Sequence, residues 1–468
     1  MEINQNIPNI LETLSKVNLD FRDFVAKNPA CLKRENFSEL EELRNKIHLL
    51  QAWPTFLGKE TKKMFREAGI EIFNLIKSIP GRFFQKDTRK MSDFYQLPAG
   101  ILDLQLEGVT GDHLGQLLAR GDFIFSPSGL KCLEYNISGN LGGHLLPWWE
   151  SLYLKNPLIL RFLKEHGITA KNENLLEQYL AHCIWTAEPL ASQCNDTEIN
   201  TALVLQGDIH SQMEPMAGYL DHLYRGLLQH RQHSQNRNLR NGSIFLCDFP
   251  NLEVQADRVY YQGRRIHSLT EWHFGLVPPR IMKSFKAGNI RIMNGPVGTL
   301  LSAKANLALL SEYADNDSNI FNAAEKEIIR KYIPWTRKIT YGETIYQGRQ
   351  IELAEFICSH QDLFVIKPSL GFGGDGVHIG KSTPPDQWQE RVKNALLKKN
   401  WVVQEAVASG SGLYRHGENG SAVYDMVWGF FIFGSHYAGT FLRIILKKDA
   451  QRIVNTHQGA QVSVVFEV

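Results

Sequence analysis

The sequence predicts a mixed α/β (α+β) fold, and three observations carry that reading. Over residues 1–80, apolar residues recur at three- and four-residue spacings, as in Ile7, Ile10, Leu11, Leu14 and again Phe65, Ile72, Phe73, Ile76. That is the period of amphipathic helices. Around residues 114–136 the pattern changes to two short strand-like runs separated by Pro127, Ser128 and Gly129, which predicts a hairpin. Further on, a buried strand at 201–206, a helix at 215–230 and a strand at 243–248 predict a parallel α/β unit.

The remaining elements follow in chain order. Residues 140–144 hold two glycines and read as loop, and 148–190 return to helical spacing. Pro215 is tolerated in the first turn of its helix. Residues 258–267 read as a hairpin turning at Gln262 and Gly263. From residue 300 a helix at 303–313 precedes strands at 363–367, 377–379, 402–407 and 426–433. The segment 410–420, rich in Gly, Ser and polar residues, reads as a flexible loop. No internal repeat is present.

Composition narrows the class of function. The 468 residues carry 51 Lys+Arg against 49 Asp+Glu, a formal net charge of +2, with no electrostatic footprint for nucleic acid or an anionic membrane. No apolar run approaches the roughly 18 residues of a membrane helix; the richest, 427–433, is broken by Gly429. The first residues have neither the basic start nor the cleavage site of a secretory signal. The six cysteines are scattered, with no C-x-x-C, as expected of reduced thiols in a cytoplasmic protein.

Two constellations carry chemistry. In the first, a strand ends on Lys367, a loop with Gly371, Gly373, Gly374 and Gly376 follows, and strand-forming residues 377–379 return. Glycines let backbone N–H groups approach an anion closely, and the ammonium adds charge, so this is a phosphate cradle on a hairpin. Read alone, it is equally a glycine-rich turn with an incidental lysine. The strand that follows ends in Gln404 and Glu405, with Val407 just beyond, and offers main-chain and carboxylate partners for an adenine edge and a ribose. An ordinary core strand would look the same in isolation.

The second constellation joins Arg120 and Asp122 to Glu134 and Asn136. If Ser126 pairs with Leu130, then Asp122 falls opposite Glu134 and Arg120 opposite Asn136, all four on one face. Opposed carboxylates repel unless a cation lies between them. Such an oxygen set suits Mg2+, which binds through one or two carboxylates plus substrate phosphates. Arg120 is then placed to hold a phosphate oxygen or a developing negative charge. A turn one residue longer or shorter would send Glu134 to the other face.

These runs resemble the circularly permuted ATP-grasp family, which includes enzymes of the glutathionylspermidine synthetase type. Residues 120–136 are similar to its metal-binding hairpin: an arginine, an aspartate two further on, then an E-x-N pair. The pair precedes the nucleotide lysines, which is the permuted order. Residues 285–304, ending on Lys304, resemble the strand and loop leading to the first nucleotide lysine. Lys367 and its glycines resemble the second lysine and loop, residues 403–405 the adenine hinge, and residues 437–443 the strand that carries an arginine, here Arg443. The likeness spans roughly residues 115–450.

The resemblance implies an ATP-grasp fold: an N-terminal helical region (1–100), a metal-binding hairpin with helices (101–195), a pre-ATP-grasp-like α/β domain (196–300) and ATP-binding subdomains (301–468). It implies ATP and Mg2+ as cofactors and a ligase that activates a carboxylate as an acyl phosphate for attack by an amine, with an amino acid, peptide or polyamine among the substrates. Lys304 and Lys367 would bind phosphates, the loop 371–376 would close over them, and Gln404, Glu405 and Val407 would hold the adenosine. Asp122, Glu134 and Asn136 would hold the metal, with Arg120 catalytic. Loops 371–376 and 409–420 would exclude water. A carboxylate kinase or a non-catalytic nucleotide-binding protein are the alternatives. No run in these residues resembles the cysteine amidase fused to some members, and no motif names glutathione or a polyamine.

Other residues invite a role. Arg264 and Arg265 would suit a substrate carboxylate or a plain surface hairpin, and Trp148 and Trp149 a pocket or the core. Asp208 follows a strand of the α/β unit, where ligands often sit. His113, His144, His182 and His210 lack zinc spacing.

Overall fold

The computed structural model describes residues 10–28, 50–126, 128–205, 207–235, 241–272, 277–316, 318–371, 373–417, 420–447 and 459–468. It is a mixed α/β fold that combines several antiparallel sheets with one four-stranded parallel sheet. Among the described residues no helix is long and apolar enough to cross a membrane.

The largest sheet is antiparallel and six-stranded, and it is built from both ends of the chain. Its axis is the long strand Gly420–Phe433. Strand His436–Leu446 pairs along one edge. Two strands share the other edge end to end, Ser411–His416 on the first half and Leu118–Ser126 on the second. Gly129–Asn136 then pairs with Leu118–Ser126 to complete a ribbon. Strand residues alternate between faces, and Phe123, Trp428 and Phe430 fill the inner one. Helix Lys59–Arg82 lies across that face, with Phe65 stacked 4.4 Å from Phe430 and Phe73 5.9 Å from Tyr135. Phe65, Ile72, Phe73 and Ile76 are buried, as their spacing predicts. Ile7 lies outside the described residues.

Residues 410–420 differ from the flexible loop expected of them: Ser411–His416 is a strand. Composition hid its inward side chains. Tyr414 is fully buried, and Gly412 is small because a Cβ there would meet Leu11 Cγ at 2.9 Å. Residues 411–416 are therefore sheet and not a flexible loop.

The parallel sheet has the order Arg291–Met293, Ser268–Glu271, Glu198–Val204, Asn241–Cys247. Helices Leu175–Gln193 and Ala217–Gln235 pack against it, so the strand–helix–strand reading holds. In a separate three-stranded antiparallel sheet, the Gln262–Gly263 turn joins Arg258–Tyr261 to Arg264–Arg265, with positive φ at both turn residues.

The smaller antiparallel sheet has the order Thr336–Lys338, Trp401–Glu405, Phe364–Pro368, His378–Ile379. Phe364, Ile366, Val403 and Trp388 form its own core on one face. The opposite face carries Lys367, Gln404 and Thr336 and meets helix Ala305–Asp315 through Val402, Ala305 and Ala308.

Candidate functional site

The ribbon holds its charged residues in the expected cross-strand pairs, but by a different path. Arg120 faces Asn136 and Asp122 faces Glu134, whereas Ser126 pairs with Gly129 and not with Leu130. The turn is one residue shorter than expected. A bulge beside Asp122 leaves Leu133 unpaired and restores the register for Glu134. Pro127, expected in this turn, lies outside the described residues.

Asp122 is buried at 4 % exposure and receives cations from two strands. Arg120 Nε donates to Oδ1 at 2.8 Å and Nη2 to Oδ2 at 3.1 Å. Arg443, reaching over from His436–Leu446, forms an ion pair with Oδ2 at 2.9 Å, and Asn136 Nδ2 donates to the same oxygen at 3.2 Å. Burial opposes the charge of Asp122, yet Arg120 and Arg443 outweigh it and hold its carboxyl below the usual range. Both guanidinium groups lie over the Phe441 ring, at 6.0 and 5.7 Å. Gly429, the break in the richest apolar run, sits beneath Arg120: a Cβ there would be 2.9 Å from Arg120 Cδ.

Glu134 faces the other lobe. Its Oε2 lies 3.1 Å from Lys304 Nζ, and that lysine also donates to Gly371 O at 2.9 Å. Burial raises the Glu134 carboxyl, but Lys304 and Lys367 hold it below its ordinary value. Lys304 directly precedes helix Ala305–Asp315, and its main-chain N–H donates to Ser369 O at 2.8 Å. Lys367 donates to Leu133 O, the bulge carbonyl, at 2.9 Å and to Gln404 Oε1 at 2.9 Å. Burial pushes its ammonium down to about 8.

The ribbon and the lysine-tipped hairpin thus meet across one cleft. Four cations (Arg120, Arg443, Lys304, Lys367) face two carboxylates, an excess of two positive charges in a largely buried site. Lys131 and Ile124 continue the charged face of the ribbon beyond Glu134. Lys131 also lines a cavity of about 400 Å³, together with Arg330, Trp335, Gln347 and Glu405 among others. The glycine loop joins its two strands as an antiparallel hairpin, with φ of 69°, 84° and 72° at Gly373, Gly374 and Gly376. Gly376 is also required by space, since a Cβ would sit 2.8 Å from Pro368 Cγ. Gly371 contributes its carbonyl to Lys304.

The hinge residues are placed differently from one another. Gln404 turns inward to Lys367 and not toward an open surface. Glu405 ends its strand with Oε1 accepting from Tyr346 OH at 3.1 Å, and Val407 lies beyond the strand.

Arg264 and Arg265 are committed elsewhere. Arg264 bonds Glu198 and Ser243, and Arg265 pairs with Asp196 at 2.8 Å, which also accepts from or pairs with His267 at 3.0 Å. Trp149 is buried, and the Trp148 ring lies tilted 5.5 Å from that of Tyr219. Asp208 begins a short helix after the parallel strand, and its side chain lies outside the described residues.

The loop after the ribbon ties this cleft to the parallel sheet. Arg120 Nη1 donates to Leu141 O, and Gly139 packs so tightly that a Cβ would be 2.2 Å from Glu271 O. Sequence reading did not single out Ser369, Thr336, Leu133 or Leu141. The last two act through main-chain carbonyls, which leave no side-chain signature, whereas the break at Gly429 was visible. Compared with models of protein families and with curated proteins, the chain matches none.

Proposed function

We propose that this cleft binds Mg-ATP and that the protein is an ATP-dependent carboxylate–amine ligase of circularly permuted ATP-grasp type. One observation carries the reading: lysines from two separate segments, Lys304 and Lys367, converge on the ribbon bearing Asp122 and Glu134. An excess of two positive charges matches a nucleoside triphosphate carrying one Mg2+, which bears about two negative charges at neutral pH.

The donor set fits the metal. Among the described residues, Asn136 Oδ1 and Glu134 Oε1 accept no hydrogen bond and are open to a metal, whereas both oxygens of Asp122 are engaged by Arg120, Arg443 and Asn136. Few protein ligands, with cations close by, suit a Mg2+ held largely by the phosphates of its substrate. When bound, the metal neutralises charge on those phosphates. Lys304 and Lys367 bind and orient phosphate oxygens, and the glycine loop directs main-chain N–H groups at them. Arg120 and Arg443, aligned over Phe441, hold the transferring phosphoryl or the acyl-phosphate oxyanion. The cavity at Lys131 and Glu405 has the volume to take the base and ribose.

The reaction class is tested by ADP release over panels of amino acids, short peptides and polyamines, with mass spectrometry of the products. Release that requires both an acid and an amine, with an amide product, supports ligation. Release with acid alone makes the protein a carboxylate kinase, and no release with any pair contradicts both.

A further inference from the structure

Gln404 faces the interior, where a two-bond relay fixes its amide. The Thr336 hydroxyl donates to Pro334 O at 2.7 Å, so it offers only lone pairs to its cross-strand partner Gln404, and it accepts from Nε2 at 3.0 Å. The amide oxygen is thereby turned toward Lys367, whose ammonium can only donate. Gln404 and Thr336 are exposed by 3 % and 0 %, so neither is exchanging these partners for bulk water. Lys367 spends a second N–H on Leu133 O, in the other sheet. Two acceptors on two sheets set two of the three N–H directions, and the tetrahedral ammonium sets the third.

We propose that Gln404, backed by Thr336, is a positioning residue that aims the remaining N–H of Lys367 at a phosphate oxygen. The identity of that ligand rests on the nucleotide reading above; the orientation of the lysine is a property of the free chain. From the ribbon the Glu134 and Asp122 carboxylates act on this ammonium, and from the start of helix Ala305–Asp315 Lys304 does, while the nearby Cys132 thiol is kept neutral by burial in the core. Burial and Lys304 disfavour the charge of Lys367, and the two carboxylates favour it. The hinge strand adds only the Gln404 carbonyl dipole, since the Glu405 carboxylate is engaged by Tyr346.

The test is the pH dependence of amine labelling at Lys367, resolved by peptide mass spectrometry on the ligand-free full chain. Removing the carbonyl in Gln404→Leu lowers the labelling midpoint, and adding a charge in Gln404→Glu raises it, each by about one pH unit. Thr336→Val, nearly isosteric, frees the amide to turn and lowers the midpoint, so it carries the test should Gln404→Leu not fold. Gln404→Leu also weakens Mg-ATP binding about tenfold by calorimetry. Midpoints that stay at the wild-type value, or that move the same way in Gln404→Leu and Gln404→Glu, overturn the proposal. Opposite shifts in a protein whose wild type binds no nucleotide leave the positioning role standing and remove the ligand assignment.

Discussion

At the scale of single residues, the two carboxylates of the ribbon differ in what their loss exposes. Asp122 neutralises two buried guanidinium groups, and breaking a buried pair by deleting one partner typically costs about 3–5 kcal/mol. Glu134 is more open, its side chain 27 % exposed, and its partner Lys304 keeps Gly371 O. Asp122→Ala is therefore expected to lower Tm strongly, while Glu134→Ala stays folded and loses Mg-ATP turnover; thermal melts beside an ADP-release assay check both. Wild-type turnover in Glu134→Ala excludes it as a metal ligand.

Lys367 adds a pH signature. Its ammonium is lowered from 10.5 to about 8 by burial, so between those values the unfolded chain binds more protons than the folded one. Across that window this group makes folding more favourable as pH rises, while the site loses a positive charge. Nucleotide affinity is expected to fall as pH passes about 8, with this lysine contributing no matching loss of stability. Calorimetric Kd values from pH 6.5 to 9.5, with melts at each pH, check the pair. An affinity unchanged across the range contradicts the role of the lysine.

At the scale of elements, the ribbon works because two irregularities cancel. A short turn alone would have sent Glu134 to the helix-covered face; the bulge at Leu133 sends it back and frees a carbonyl for Lys367. The pairing of charges was legible because polar residues two apart on each strand share one face. The bulge was not, because it is a main-chain event dictated by the facing sheet. Segment 411–416 shows the converse: its Gly and Ser residues suggested a loop, but burial of Tyr414 and close packing on Leu11 make it a strand.

Gly429 belongs to this scale as well. It pairs with Asp122 in the central strand and leaves the space in which Arg120 lies. In Gly429→Ala the new methyl displaces Arg120 from Asp122. Turnover is expected to fall by roughly 10²–10³, the usual loss for one misplaced oxyanion donor, with Tm changing far less than in Asp122→Ala. Unaltered turnover would mean that Arg120 has no part in the chemistry.

At the scale of the whole molecule, the cleft exists because distant segments close on one another. The six-stranded sheet needs residues 118–136 and 411–463, and the lysines come from between them. Helix Lys59–Arg82 buries the inner face of that sheet, so the polar face is left toward Lys304 and Lys367. Much of this was legible in the sequence, because the motif residues are charged or glycine and their spacings constrain strands. The inward turn of Gln404 was not, since an amide beside a hinge reads the same whether it serves the ligand or the lysine. Nor was the commitment of Arg264 and Arg265 to Glu198 and Asp196, partners that meet only once the parallel sheet forms.

The central claim is that this meeting of ribbon and lysines is a nucleotide site, and a calorimetric titration of Mg-ATP into the full chain tests it most directly. The account predicts saturable one-to-one binding by the wild type and a Kd at least about tenfold higher in Lys367→Ala, which lacks one buried charge facing the phosphates. Absence of binding at millimolar Mg-ATP, or an identical Kd in Lys367→Ala, would contradict it.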